Sequence, residues 1–486
     1  MIPVDITRIR NLSNCTAEVT NNLSSPGPIF DFSTYVHDLL GLKNDLRQAA
    51  NNLRPVYQEA VAWPFLAFLD QFSPNTFYQL FTRNNESLSD DEQFWRKIIP
   101  DICAAIFASC PQNNPCPSHA FQEVVSDLYE GFMCEEDRSN VKRPDLSVIP
   151  PLVLWGNPQR GPYTWTIGAT LHLGLKAPIV SLPAHHANGG LLGWSTLGHE
   201  VGGHDIIAAD RGLLDELKGR VQLAVFANTQ NEDLATYWEN CTSETASDVL
   251  GLLNMGPAAG IGLIGYFRGR NANRRLRTEG PYDGPHPVAV LRGFIAARVV
   301  AQLQFSQAAE WSRLIEREAR NDLQGQIRLH LANGETLGFH NEVAIRTAQI
   351  AADTIATARL QRLEGHSLIE IQNWRNRDER ICTEIQTAML LGQNLPQNYQ
   401  GRGYYATHVV AAAVTGALRS SDPNVEHINT IFNRMKAYLV VMNRGEYTPQ
   451  RTAYLMGSLH ALSTPQGIVY LNQGSGVSNN YCCNIM

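Results

Sequence analysis

The chain has 486 residues, a net charge of −7, a pI near 6.1, 44% hydrophobic residues and 17% charged ones. That length exceeds one ordinary core, so two or three domains are expected, with ample apolar material for a dry active site. The acidic balance excludes non-specific nucleic-acid binding.

Residues 1–30 read as a loose lead-in, with Ser25-Pro26-Gly27-Pro28 at its end, and Met1-Ile2-Pro3-Val4-Asp5 lacks the charged-then-apolar pattern of a signal peptide. Residues 31–140 read as a helical N-terminal domain. Leu39, Leu40, Leu42 and Leu46, then the run from Val56 to Phe72, place apolar residues on one helical face. Ser89-Asp90-Asp91-Glu92 before Phe94-Trp95 is a helix start with acids in its first turn. The nine cysteines include Cys103, Cys110, Cys116 and Cys134, with no CxxC pair among these four. They are read as reduced thiols in a cytoplasmic protein, with a secreted disulfide framework as the alternative.

Residues 141–295 are assigned to a catalytic core. Its entry, residues 135–162, is charged and then proline-rich and reads as a domain boundary or an extended connection. Tyr163–Ile167 and Pro178–Leu182 carry strand composition. A loop follows from Pro183 to Gly190, holding His185 and His186, and a helix starts near Leu191. The uncharged run Val249–Phe267 contains Pro257 and several glycines, which makes it a poor membrane span and a better buried helix plus loop. Arg268, Arg270, Arg274, Arg275 and Arg277 form a local basic cluster, read as a solvated loop or, alternatively, a site for an anionic partner or substrate carboxylate. Residues 296–470 read as a helical C-terminal domain, with helices over Val343–Leu363, Ile369–Leu391, Ala406–Leu418 and Val425–Val441. Residues 471–486 read as a flexible tail. The fold class expected is mainly α with a small mixed β element: a zincin-like, two-lobed metallopeptidase with the metal helix at the cleft.

The chemistry concentrates at His199-Glu200-Val201-Gly202-Gly203-His204. Two imidazoles bracketing a carboxylate are the material of a zinc hydrolase. The common zinc-peptidase spacing has two residues between Glu and the second His; this chain has three. On a regular α-helix, positions five apart lie about 140° apart around the axis and cannot share an ion. A π-type turn would return His204 to the face of His199. Gly202-Gly203 is costly in a helix, about 1 kcal/mol each against Ala, and is read here as permitting that distortion.

Downstream, Glu244 and Asp248 in Ser243-Glu244-Thr-Ala-Ser-Asp248-Val-Leu-Gly251 are four apart and share a helical face. Glu244 can supply the third protein ligand that a catalytic zinc needs. Asp248 can accept the other ring N–H of a ligand histidine and orient it. Together the two elements resemble the dipeptidyl peptidase III family, zinc exopeptidases with a His-Glu-x-x-x-His helix and a downstream Glu-x-x-x-acid helix. The resemblance covers these two short motifs; the second acid is Asp248 where the family carries Glu, which marks a distant relative. It implies one Zn2+ held by His199, His204 and Glu244, with Glu200 as general base.

The expected activity is therefore hydrolysis of a peptide substrate. Glu200 takes a proton from a water activated by the metal. An oxyanion donor is then required, and His286 in Tyr282-Asp283-Gly284-Pro285-His286-Pro287 is the first candidate, Tyr282 the second. Arg292 is a candidate contact for a substrate terminus. The end of the sequence, Cys483-Asn484-Ile485-Met486, fits a prenylation box, and Cys482 beside it could be palmitoylated. Those two lipids would give a cytoplasmic-face membrane anchor. Two other readings stay open: a non-enzymatic, membrane-tethered helical interaction protein, and a zinc hydrolase of a non-peptide amide.

Overall fold

The computed structural model describes residues 9–109, 116–133, 140–146, 149–281, 284–331, 333–420, 424–446 and 482–484. The protein is mainly helical with a small sheet. It divides into two units, each assembled from separated stretches of chain.

One unit comprises Pro26–Ser126, Leu146–Ala187 and Val440–Met486. Its helix Asp90–Phe107 starts as the sequence predicts: Ser89 and Glu92 form a reciprocal capping box, with acids through the first turn. Its core joins Leu42, Leu46, Phe65, Leu69, Ile98 and Ile102 to the strand residues Leu154 and Ile179. Strands β1 (Leu152–Gly156), β2 (Tyr163–Trp165) and β3 (Ile179–Pro183) form a mixed sheet with β4 (Cys482–Asn484), in the order β1-β3-β2-β4. β1 and β3 run parallel and are buried along their length, so they read as apolar runs rather than alternations. β1 lies within the proline-rich stretch read as a connection: Pro150-Pro151 ends before Leu152, and prolines outside a strand do not interrupt its ladder. Asp101 accepts from the Tyr163 hydroxyl at 2.8 Å and the Trp165 indole at 2.7 Å, tying the sheet to the helix.

Cys482 and Cys483 fall in β4, whose backbone register pairs them with Trp165 and Thr164. Residues 472–480, read as flexible, lie outside the described residues. Cys116 is disulfide-bonded, whereas Cys15, Cys103, Cys241 and Cys382 are free and buried. The reading of uniformly reduced thiols does not hold, and the cysteine argument for a cytoplasmic location goes with it. Among the described residues, no helix is long and apolar enough to cross a membrane.

The other unit comprises Met1–Ser25, Asp127–Asp145 and Asn188–Leu439. Helix α1 (Leu12–Asn22) carries the buried Glu18, whose carboxylate accepts from the backbone N–H groups of Gly190 at 2.6 Å and Leu191 at 3.1 Å. It caps the short helix Leu191–Trp194 that leads to the His-Glu motif. The uncharged run beginning at Val249 is two helices rather than helix plus loop: α2 (Thr242–Met255) and α3 (Pro257–Arg270). They meet at Gly256, whose φ of 63° and ψ of −152° suit glycine, with Pro257 at the first helical position. Nearly every residue of both is buried, and that explains the absence of charge over the run.

Helices α4 (Ala289–Val300) and α5 (Ala308–Asn321) pack beside them. Arg268 bridges α3 to this region through Asp322 at 2.7 Å and Glu318 at 2.9 Å, so this member of the basic cluster is a buried structural cation. The region after residue 295 is not wholly helical. Ile327–His330 and Thr336–Phe339 form an antiparallel hairpin, with Gly334 at φ 85° in its turn. Its period-2 alternation, with Ile327 and Leu329 buried, was present in the sequence.

Candidate metal centre

The segment that carries the His-Glu motif is α-helical over Leu197–His199, π-helical over Glu200–Asp205 and α-helical again over Ile206–Ala209. The π turn brings His199 and His204, five apart in sequence, to one face. Gly202 and Gly203 both lie within the π turn, and Gly203 has a second role. Neither Gly202 nor Gly203 is among the residues of positive φ. Gly203 admits α2: a Cβ there would overlap Ser247 Cα and Cβ. One on Gly251 would lie 2.8 Å from the Gly198 carbonyl carbon. Close approach of two backbones is what places Glu244 and Asp248 of α2 within reach of the histidines.

His199 Nε2 lies 3.2 Å from His204 Nε2 and 3.1 Å from Glu244 Oε2. His204 Nε2 is 3.5 Å from Glu244 Oε1. One donor atom from each of these residues lies within 4.8 Å of the others, and the three side chains are 3%, 4% and 0% exposed. This buried cluster could hold a metal ion.

The far ring nitrogens are occupied in a way that turns both Nε2 atoms inward. His199 Nδ1 is 2.7 Å from Asp248 Oδ1, as the sequence predicts. Ser247 Oγ lies 3.2 Å from His204 Nδ1 and also donates to the Ser243 carbonyl at 2.9 Å. With its own proton so used, Ser247 accepts from His204 Nδ1–H, which leaves Nε2 bare. With the Glu244 carboxylate facing these two buried nitrogens, a positive charge between them, a proton or a metal ion, offsets the cost of burying the carboxylate.

The charges bear this out. Burial disfavours a protonated His199 ring, but the Asp248 carboxylate, with Glu244, outweighs it and raises the pKa to about 9. Burial would raise Glu244, yet the neighbouring His286 and His204 hold it well below its ordinary value. Asp248 is likewise lowered against burial, chiefly by Arg292. At pH 7 the metal-free site therefore carries a proton on His199, which a cation at Nε2 must displace. Metal binding at pH 7 is expected to release about one proton, read by calorimetry in buffers of different ionisation enthalpy, with affinity rising toward pH 9. Release near zero at pH 7 would contradict this arrangement.

Glu200, adjacent to His199 on the π turn, is fully buried, and its charge is felt by Asp205, Tyr266 and Arg292. His286 is brought to the cluster, with Nε2 3.1 Å from Glu244 Oε2, and burial lowers its pKa. Tyr282 lies outside the described residues. His185 and His186 sit in a 3-10 turn, Ala184–Ala187, after β3 in the unit that does not carry the metal cluster.

One member of the site, Ser247, escaped the sequence reading, and Arg292 has another role than the one expected. Ser247 shares the α2 face with Glu244, three positions on, and that spacing was the available signal. Arg292 does not await a substrate terminus: it is 2% exposed and bound to Asp248, at 2.8 Å from Nε to Oδ2 and 2.6 Å from Nη2 to Oδ1. A lone charge within Val288–Ala297 was the sign that it is buried and paired.

No protein-family model, no curated protein and no solved structure matches this chain. The resemblance to dipeptidyl peptidase III rests on the two motifs alone.

Proposed function

We propose that the protein is a zinc-dependent peptide hydrolase, a distant dipeptidyl peptidase III-like enzyme of the two-lobed zincin type. The observation that carries this reading is the π turn, which converges His199 and His204 on Glu244. Two nitrogens each about 2.0–2.1 Å from a tetrahedral zinc stand about 3.3 Å apart; the two Nε2 atoms are 3.2 Å apart. Nitrogen and carboxylate donors in the ratio two to one are a common catalytic zinc set.

His199, His204 and Glu244 would hold the ion, and Asp248 and Ser247 would keep the two rings in their binding tautomers. A zinc ion bound there supplies Lewis-acid polarisation of the scissile carbonyl and of the attacking water. Glu200 accepts the proton of that water and returns it to the leaving amine. Its burial beside His199 keeps bulk water from competing for the proton. His286 donates a hydrogen bond to the carbonyl oxygen as negative charge develops. A non-peptide amide would be cleaved by the same residues.

The test is metal analysis of the purified chain followed by digestion of a peptide library with mass detection. One zinc per chain and metal-dependent cleavage are expected. A chain that takes up no zinc, or that carries iron in its place, would overturn the reading.

A further inference from the structure

Arg292 is almost fully buried although it is charged, and three helices converge on its guanidinium. It projects from α4, lies over the Phe267 ring of α3 at 4.7 Å, and forks onto both oxygens of Asp248 on α2. Its Nη2 is also 3.0 Å from His199 Nδ1. Two donors, this Nη2 and a protonated Nδ1, thus face the single oxygen Asp248 Oδ1.

We infer that Arg292 is a positioning residue for the metal centre: by clamping Asp248 at both oxygens it fixes the His199 tautomer that leaves Nε2 free for a cation. The inference rests on the metal-centre reading above. The fork sets the plane of the carboxylate, so Oδ1 is aimed at Nδ1 and cannot rotate into the cluster as a further ligand. The paired cation also neutralises Asp248. An unpaired buried carboxylate at 2.7 Å would pull the Nδ1 proton away and change the ring as a donor. The opposite error is equally available. With Asp248 displaced, Nη2 at 3.0 Å would donate to a bare Nδ1, and the remaining ring proton would sit on Nε2, where the ion must bind. Arg292 and Asp248 therefore act as one unit. A lysine cannot replace the arginine, because it offers a point charge where a planar fork is needed.

The experiment uses the full chain, labelled with 15N-histidine, as wild type, Arg292→Met and Arg292→Lys. Long-range proton–nitrogen spectra report the His199 tautomer with and without zinc, and a competing chelator reports zinc affinity. Circular dichroism checks the fold. Wild type is expected to keep the His199 Nδ1–H resonance in both states. With zinc bound, both variants are expected to lose or divide that resonance, and both are expected to bind zinc about 10- to 100-fold more weakly, the range typical for loss of a partner behind a metal ligand. Arg292→Lys retains the buried charge and serves if Arg292→Met does not fold. An unchanged Nδ1–H signal with zinc affinity within about twofold of wild type would overturn the inference. Wild type that takes up no zinc would instead sink the metal reading, and with it the role inferred for Arg292.

Discussion

Gly203→Ala is expected to push the His-Glu segment away from α2 and to weaken metal binding. In a helix this exchange ordinarily stabilises by about 1 kcal/mol. Here the new methyl would overlap Ser247 Cα, which is backbone and cannot rotate away. Overpacking of this kind costs about 1–3 kcal/mol and at times more. A net loss of about 2 kcal/mol is therefore expected in denaturant unfolding, with zinc affinity reduced at least about tenfold. Displacement of Ser247 would also release the His204 ring that it holds at 3.2 Å. Gly219→Ala is the matched control, because its methyl meets nothing within 4 Å. It should stabilise the chain, or leave it unchanged, with full metal content. Equal behaviour of the two variants would show that the packing of Gly203 does not matter.

Glu200→Gln should keep the metal and lose the chemistry. The amide has nearly the shape of the carboxylate and leaves His199, His204 and Glu244 in place, but it cannot accept a proton at neutral pH. Removal of a positioned general base costs about 10²- to 10⁴-fold in rate. Turnover should fall by that factor while zinc content stays at the wild-type level. Unchanged turnover would remove Glu200 from the role of base. Loss of zinc together with turnover would make it a structural member of the cluster.

The parts of the site that were legible in the sequence are those set by local geometry. His199, Glu200 and His204 lie in one helical segment, and Glu244 and Asp248 lie four apart on one face, so spacing alone relates them. The need for a π turn followed from the same arithmetic. What could not be read is what only packing decides. Gly203 was read only as a source of local distortion, whereas its clearance for α2 is decided by packing. The pairing of Arg292 with Asp248 could not be read, because the two are 44 positions apart in sequence. β1 hid among prolines, and the hairpin over Ile327–Phe339 was submerged in helical surroundings although its alternation was visible. The coarse class, mainly helical with a small sheet, was within reach because long amphipathic runs dominate the chain.

The π turn has one more consequence. Gly198 and Gly203, five apart, abut Gly251 and Ser247, four apart on the regular helix α2. The turn thus lodges one surplus residue while both flanks stay in helical register with their neighbour. Removing a residue between Glu200 and Gly203 would leave a regular helix against the same partner, with the four-residue histidine spacing of the common zinc peptidases. The long and the short motif, which look like different families on paper, are here a single deletion apart.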